Sequence, residues 1–318
     1  MATAGLLPRL ALPPLTLGSS CRSLLPRVAP ALRASLPRNL RQFRSTAARP
    51  KMLQANRLKR AFVDGSGPSF GLWQMLPGSN VARVLARAGV DWVMVDCEHG
   101  AMDDAAMHEA VPAIAALGVS PLVRIPDLQP WMVKRALDSG AHGVLVPLIR
   151  TVQEVKDLVA SAKFPPHGRR GFGSPFAMQN FNPMPSMSEY LQQANDSLLV
   201  MVQIETQEAL DAVDEIAPLV DVLFIGPFDL GNNIGHPIID GKMDPELHDA
   251  IARVLDATNK AGKKCGIYCT SGEQARHYAD MGFHMITVAT DVTALQAVVV
   301  DALATARGQA KPQRAASY

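Results

Sequence analysis

Residues 118–147 read GVSPLVRIPDLQPWMVKRALDSGAHGVLVP. Two short apolar runs, Pro121–Arg124 and Gly143–Pro147, bracket a helical pattern, and a glycine stands ahead of each run, Gly118 and Gly140. Nearly continuous apolarity over four or five residues fits a parallel strand covered on both faces. A glycine in that place ends a helix in the left-handed conformation and turns the chain into the next strand. The same unit repeats in both directions. Runs at Phe70–Gln74, Trp92–Asp96, Leu199–Ile204, Val222–Ile225, Cys265–Cys269 and Met285–Val288 bring the total to eight, with Gly89, Gly262 and Gly282 preceding three of them.

The segments between carry helix-start signals. Thr151-x-x-Glu154 reads as a capping box, and Asp244-Pro245 as an N-cap followed by proline at the first helical position. In the helix that follows, Leu247, Ile251, Val254, Leu255 and Thr258 fall on one face. Eight strand–helix units in about 240 residues predict an α/β fold, the TIM (β/α)8 barrel. A doubly wound sheet is the competing arrangement, but no Gly-x-Gly-x-x-Gly follows the first strand. One connection breaks the rhythm: a stretch rich in proline and glycine separates the helix at 151–162 from the strand at 199. Long loops inside compact domains are more often functional than idle.

Charge divides the 318 residues unevenly. The formal net charge is +2, yet residues 1–63 hold twelve basic side chains and no acid, which leaves the remainder at −10. Three segments are therefore expected: a basic, disordered arm over 1–63, a barrel domain over 64–310, and a short tail over 311–318. Arg-rich, acid-free composition with Ala, Leu, Ser and Pro fits a mitochondrial transit peptide, and Arg41-Gln42-Phe43-Arg44-Ser45-Thr46 resembles a matrix-protease cleavage context. Delivery to the mitochondrial matrix is the expectation, or the cytoplasm if the arm is not a working leader. A disordered basic arm that binds nucleic acid and a mis-called start codon are the other readings, but the acidic body and its non-interleaved aromatics argue against nucleic acid as a partner. No apolar run reaches ~18 residues without a charge, so no membrane span is expected. Four cysteines exclude a disulfide scaffold; Cys97, Cys265 and Cys269 suit a reducing compartment.

Barrels of this kind work at the C-terminal ends of their strands. Those ends gather a polar set: Trp73-Gln74, Asp96-Cys97-Glu98-His99, Arg124, Gln203-Ile204-Glu205 and Gly226-Pro227-Phe228-Asp229. Glu205 and Asp229 end adjacent strands, so their carboxylates can converge on a hard divalent cation; a pair of exposed loop acids is the bland alternative. Gln203 shares the strand face of Glu205. Arg124 offers a planar fork to a carboxylate or enolate oxygen, or else a salt bridge across the rim with Asp96 as a fair partner. His99 follows an acidic pair that could raise its basicity.

Taken together, residues 69–307 resemble the HpcH/HpaI aldolase family of metal-dependent class II pyruvate aldolases. The matching stretches are GLWQMLPGSNVARVLARAGVDWVMVDCEHG, LVRIP, GVLVPLI, FPPHGRRGFGS, VMVQIET and VLFIGPFDLG, in family order. The resemblance implies a phosphoenolpyruvate/pyruvate-type barrel and a homo-oligomer, a hexamer of dimers that swap the last helix. It implies that Glu205 and Asp229 bind a divalent metal (Mg, Mn or Co) and that His99 is a base oriented by Asp96. Arg124 would stabilise an enolate oxygen, and Gln203 with the backbone N–H groups at Phe228 and Asp229 would hold the 2-oxo acid. Gly226, Ser174 and Trp73 complete the implied substrate contacts. Two positions depart from the family pattern: Phe228 replaces the usual alanine, and Pro-Phe-Ala-Met-Gln-Asn-Phe after Ser174 replaces an Arg-rich loop. The expected reaction is cleavage of a 4-hydroxy-2-oxo acid to pyruvate and an aldehyde. Decarboxylation of oxaloacetate, or chemistry like that of macrophomate synthase, is the alternative through the same enolate. A coenzyme A thioester lyase would need a nucleotide site that the motifs do not supply, and a non-catalytic barrel would be expected to have lost one of the four charged site residues.

Overall fold

The structure, a computed structural model, describes residues 49–310; residues 1–48 of the arm expected over 1–63, and the tail over 311–318, lie outside them. The described chain opens with two short helices, α1 (Lys51–Ala55) and α2 (Arg57–Asp64), and then alternates. In order come β1 (Ser69–Gln74), α3 (Ser79–Ala86), β2 (Trp92–Asp96), α4 (Asp104–Ala115), β3 (Ser120–Arg124), α5 (Pro130–Asp138), β4 (Gly143–Val146), α6 (Val152–Ala162) and α7 (Met187–Ser197). The second half runs β5 (Leu199–Ile204), α8 (Gln207–Asp211), α9 (Val213–Ile216), β6 (Val222–Ile225), α10 (Pro227–Asn233), α11 (Pro245–Lys260), β7 (Lys264–Ile267), α12 (Gly272–Asp280), β8 (Met285–Thr290) and α13 (Asp291–Ala306). The strands pair in parallel in sequence order, and β8 returns to β1 to close the barrel.

The eight strands coincide with the eight apolar runs to within two residues at either end. Gly89, Gly118, Gly140, Gly262 and Gly282 all have φ between 67° and 97°, the left-handed turn their positions require. The capping box at Thr151 and Glu154 forms in full. The irregular connection holds more order than its prolines suggest: α7 begins with a second capping box, Ser186 with Glu189, hidden at sequence level by the surrounding Pro and Gly.

Two apolar layers form. Between strands and helices lies an outer core that includes Val93, Val123, Val144, Val202 and Leu223. Inside the barrel, Trp73, Trp92, Met94, Leu122, Leu145, Leu199, Met201 and Phe224 pack together. Glycines on the strands make room for the largest of them. A Cβ on Gly71 would lie 2.1 Å from the Trp92 ring, and one on Gly266 would lie 2.4 Å from Phe224. No L side chain fits at either place without displacing a ring that closes the interior.

The boundary expected at residue 63 requires correction. Helices α1 and α2 belong to the barrel unit, and Leu58 is buried within its interior cluster. The basic composition misled because these cations are matched by acids of the body. Arg49 pairs with Asp64, Lys51 with Glu189, Arg57 with Asp91 and Lys59 with Asp221, each at 2.7–2.9 Å. Asn56 anchors the segment. Fully buried, it donates to the carbonyls of His142 and Ser197 and accepts from Lys59 N and Ser120 Oγ. Asn56→Ala removes a helix cap and leaves two buried carbonyls short of a donor, so it is expected to cost about 3 kcal/mol. Chemical denaturation of the two proteins measures the difference, and a loss under half that size would show the segment to be dispensable.

Candidate active site

A cavity of about 350 Å³ opens at the C-terminal ends of the strands, as the barrel architecture requires. Its floor is built around Asp96, the last residue of β2, which is wholly buried. Arg124 at the end of β3 meets it with two bonds, Nε to Oδ1 at 3.0 Å and Nη2 to Oδ2 at 2.6 Å. Trp73 at the C-terminal end of β1 donates its Nε1 to Oδ2 at 3.0 Å. The backbone amides of Glu98 and His99 donate to Oδ1 at 3.0 and 3.2 Å. Asp96 therefore holds the His99 main chain rather than its imidazole. The ring instead faces Glu98, with Nε2 at 3.7 Å from Oε1. Glu98 also forms an ion pair with Arg124 Nη1 at 2.9 Å. Burial opposes the Arg124 charge, but Asp96, Glu98 and Glu205 outweigh it and hold the guanidinium protonated. The rim salt bridge forms, and the guanidinium also lines the cavity, with Nη1 3.4 Å from Gln203 Oε1.

Glu205 and Asp229 also line the cavity. Glu205 is only 2% exposed; it accepts from Leu148 N and from Gln203 Nε2. Burial above all, then the neighbouring Asp229 carboxylate, pushes its pKa up to about 8. A buried carboxylate with a second, half-buried one beside it favours a cation shared between them. Gly226 gives the approach its room: a Cβ there would lie 2.1 Å from Glu205 Oε1. An all-oxygen donor set with free lone pairs fits a hard divalent cation that keeps part of its water shell.

Of the residues singled out from sequence, Trp73, Asp96, His99, Arg124, Gln203, Glu205, Gly226, Phe228 and Asp229 converge on this cavity. Ser174 does not line it. Its hydroxyl donates to the carbonyl of Asp138 and accepts from Phe176 N and Ala177 N, within the connection that leads from α6 toward β5. Such a connection approaches a strand at its N-terminal end, the face away from the chemistry. Tyr268 and Met75 line the cavity without having been singled out. Tyr268 directly follows β7, so the rule of strand ends could have found it; Met75 offered only its place after β1.

The HpcH/HpaI aldolase/citrate lyase family matches residues 69–297 of the chain. A hydroxypyruvate/pyruvate aldolase of Chromohalobacter salexigens is 33% identical over 251 residues, covering 78% of this chain and 97% of that protein. A 4-hydroxy-2-oxo-heptane-1,7-dioate aldolase of Salmonella dublin is 35% identical over 244 residues, covering 75% and 91%. The crystal structure of an HpcH/HpaI aldolase/citrate lyase family protein from Burkholderia cenocepacia superposes with a TM-score of 0.72 at 37% identity, covering 79% of this chain and 99% of the other. With motifs, barrel and cavity in agreement, the chain belongs to the HpcH/HpaI aldolase/citrate lyase family and is a carbon–carbon lyase of the aldolase kind.

Proposed function

We propose that the chain is a divalent-metal-dependent class II aldolase that cleaves a 4-hydroxy-2-oxo acid reversibly to pyruvate and an aldehyde. The observation that carries this reading is that the buried Glu205 and the half-buried Asp229 line one cavity with Arg124. A cation held by the two carboxylates would supply Lewis-acid stabilisation of charge on the oxo-acid oxygens. Arg124 provides a fixed positive edge where the C2 oxygen gains charge, and its carboxylate partners keep that edge from swinging away. Gln203 and the backbone N–H groups of Phe228 and Asp229 hold the oxo acid. His99 takes the proton of the C4 hydroxyl as the C3–C4 bond breaks, the aldehyde leaves, and the electron pair remains as the pyruvate enolate. We further propose that the chain works as a homo-oligomer, in keeping with the exposed Leu295, Val298 and Val299 on α13.

Loss of carbon dioxide from oxaloacetate leaves the same enolate but involves no hydroxyl proton. His99→Ala is therefore expected to lower aldol cleavage by roughly 100-fold or more while decarboxylation persists, and Glu205→Ala to abolish both. Coupled assays of pyruvate release from the two substrate types measure this. Cleavage that survives in Glu205→Ala or in EDTA-treated protein refutes the reading.

The raised pKa of Glu205 also has a stability signature. The folded state keeps this proton up to about pH 8, whereas a free glutamate loses it near 4.5. Metal-free protein therefore loses stability as pH rises from 4.5 through 8, because ionisation favours the unfolded chain. Glu205→Gln is expected to remove that part of the slope and to raise the melting temperature of metal-free protein at pH 8. Thermal melts of both proteins across this pH range test it, and parallel curves contradict it.

A further inference from the structure

Leu148 lies two residues past the end of β4, and its backbone is left-handed, with φ 50°. Among the described residues, Asp240 is the other non-glycine residue with positive φ. It sits in an exposed turn closed by bonds between Ile239 and Lys242, and aspartate tolerates that conformation. Leucine does not. Its Cβ crowds the backbone there, and such a residue persists only where its surroundings dictate the turn. Burial of the side chain offers no compensation, because Leu148 is 47% exposed.

The backbone on either side of the turn is committed. Before it, Val146 pairs with Val202 of β5, and after it the capping box at Thr151 and Glu154 starts α6. Leu148 N donates to Glu205 Oε2 at 3.2 Å. One residue on, Ile149 is buried, and its carbonyl accepts from Thr206 Oγ1 at 2.8 Å, the hydroxyl that also caps α8. With the Leu148 amide aimed at Glu205, rotation about its N–Cα bond decides where the chain runs next. The left-handed value delivers Ile149 to Thr206, so both bonds form at once. Glu205 Oε1 accepts from Gln203 Nε2, so each carboxylate oxygen has one donor and keeps a lone pair for the cavity it lines. An amide orients the carboxylate without bringing a positive charge that would compete with a cation.

We propose that Leu148 is a positioning residue for the metal-binding carboxylate, its left-handed turn kept so that its amide holds Glu205 toward the cation. The proposal rests on the metal-dependent reading above and adds to it a backbone contact outside the two carboxylates. The full chain, freed of metal with EDTA and then dialysed, is titrated with MnCl2. The electron paramagnetic resonance signal of free Mn gives Kd without any turnover. Leu148→Val keeps an apolar side chain, but its branched Cβ resists the turn, and it is expected to weaken Mn binding about tenfold or more. Leu148→Gly and Leu148→Asn accept the turn and keep the amide, and are expected to bind within about threefold of wild type. Replacing the Leu148 amide by an ester, with leucic acid at that position, deletes the donor but keeps the side chain. It is expected to weaken binding as valine does, and it decides the matter where valine disturbs folding. An ester protein with wild-type Kd overturns the proposal. So does a Leu148→Val protein that melts earlier with Kd unchanged, or equal weakening in the glycine and asparagine variants. Wild-type protein that binds no Mn, or binds it no better than Glu205→Gln, overturns the metal-dependent reading and this proposal with it.

Discussion

Asp96 has no contact with solvent and accepts five hydrogen bonds, from the Trp73 indole, from two nitrogens of Arg124, and from the amides of Glu98 and His99. A buried carboxylate with fewer partners would be a liability, because its lost hydration must be replaced. The replacement here recruits the ends of β1, β2 and β3 and the loop after β2. Each recruited group then does a second task. Arg124 and Trp73 face the cavity, and the His99 backbone fixes where its imidazole begins. Positioning the site and satisfying one buried charge are the same set of bonds.

The layer beneath is set by volume instead of charge. Trp92 and Phe224 fill the barrel interior only because Gly71 and Gly266 carry no side chain. Phe224 in turn supports Trp73, whose ring forms part of the cavity wall. Shape is therefore transmitted upward from glycine to aromatic plug to wall. Gly226 repeats the device at the site itself, where the missing Cβ admits the Glu205 carboxylate.

Legibility in the sequence followed how local each signal was. The strands showed because apolar runs and left-handed glycines are written within a few residues, and the polar strand ends followed once the barrel was inferred. Long-range pairings were not readable. Nothing beside Lys59 announces that Asp221 is its partner, so a structural segment with matched charges was read as part of an unpaired basic arm. The Asp96–His99 relation was wrong in detail for a similar reason. Spacing places the two together but cannot say whether the amide or the ring receives the bond, and Arg124 had already taken much of the carboxylate. Ser174 was assigned through resemblance alone, with no local feature to test it.

The seating of α1 and α2 against the barrel has a consequence for the order in which the chain is made. Among the described elements these helices leave the ribosome first, yet Asp221 lies 162 residues after Lys59 and Ser197 lies 141 after Asn56. During most of synthesis the pair has a basic, amphipathic surface and nothing to bury it against. It reaches its seat only after β5 and β6 exist, and β1 waits longer still for β8. A fold with such remote contacts nucleates late and slowly. Helices α1 and α2 consequently stay undocked for much of synthesis, the condition in which such a segment can be gripped by chaperones.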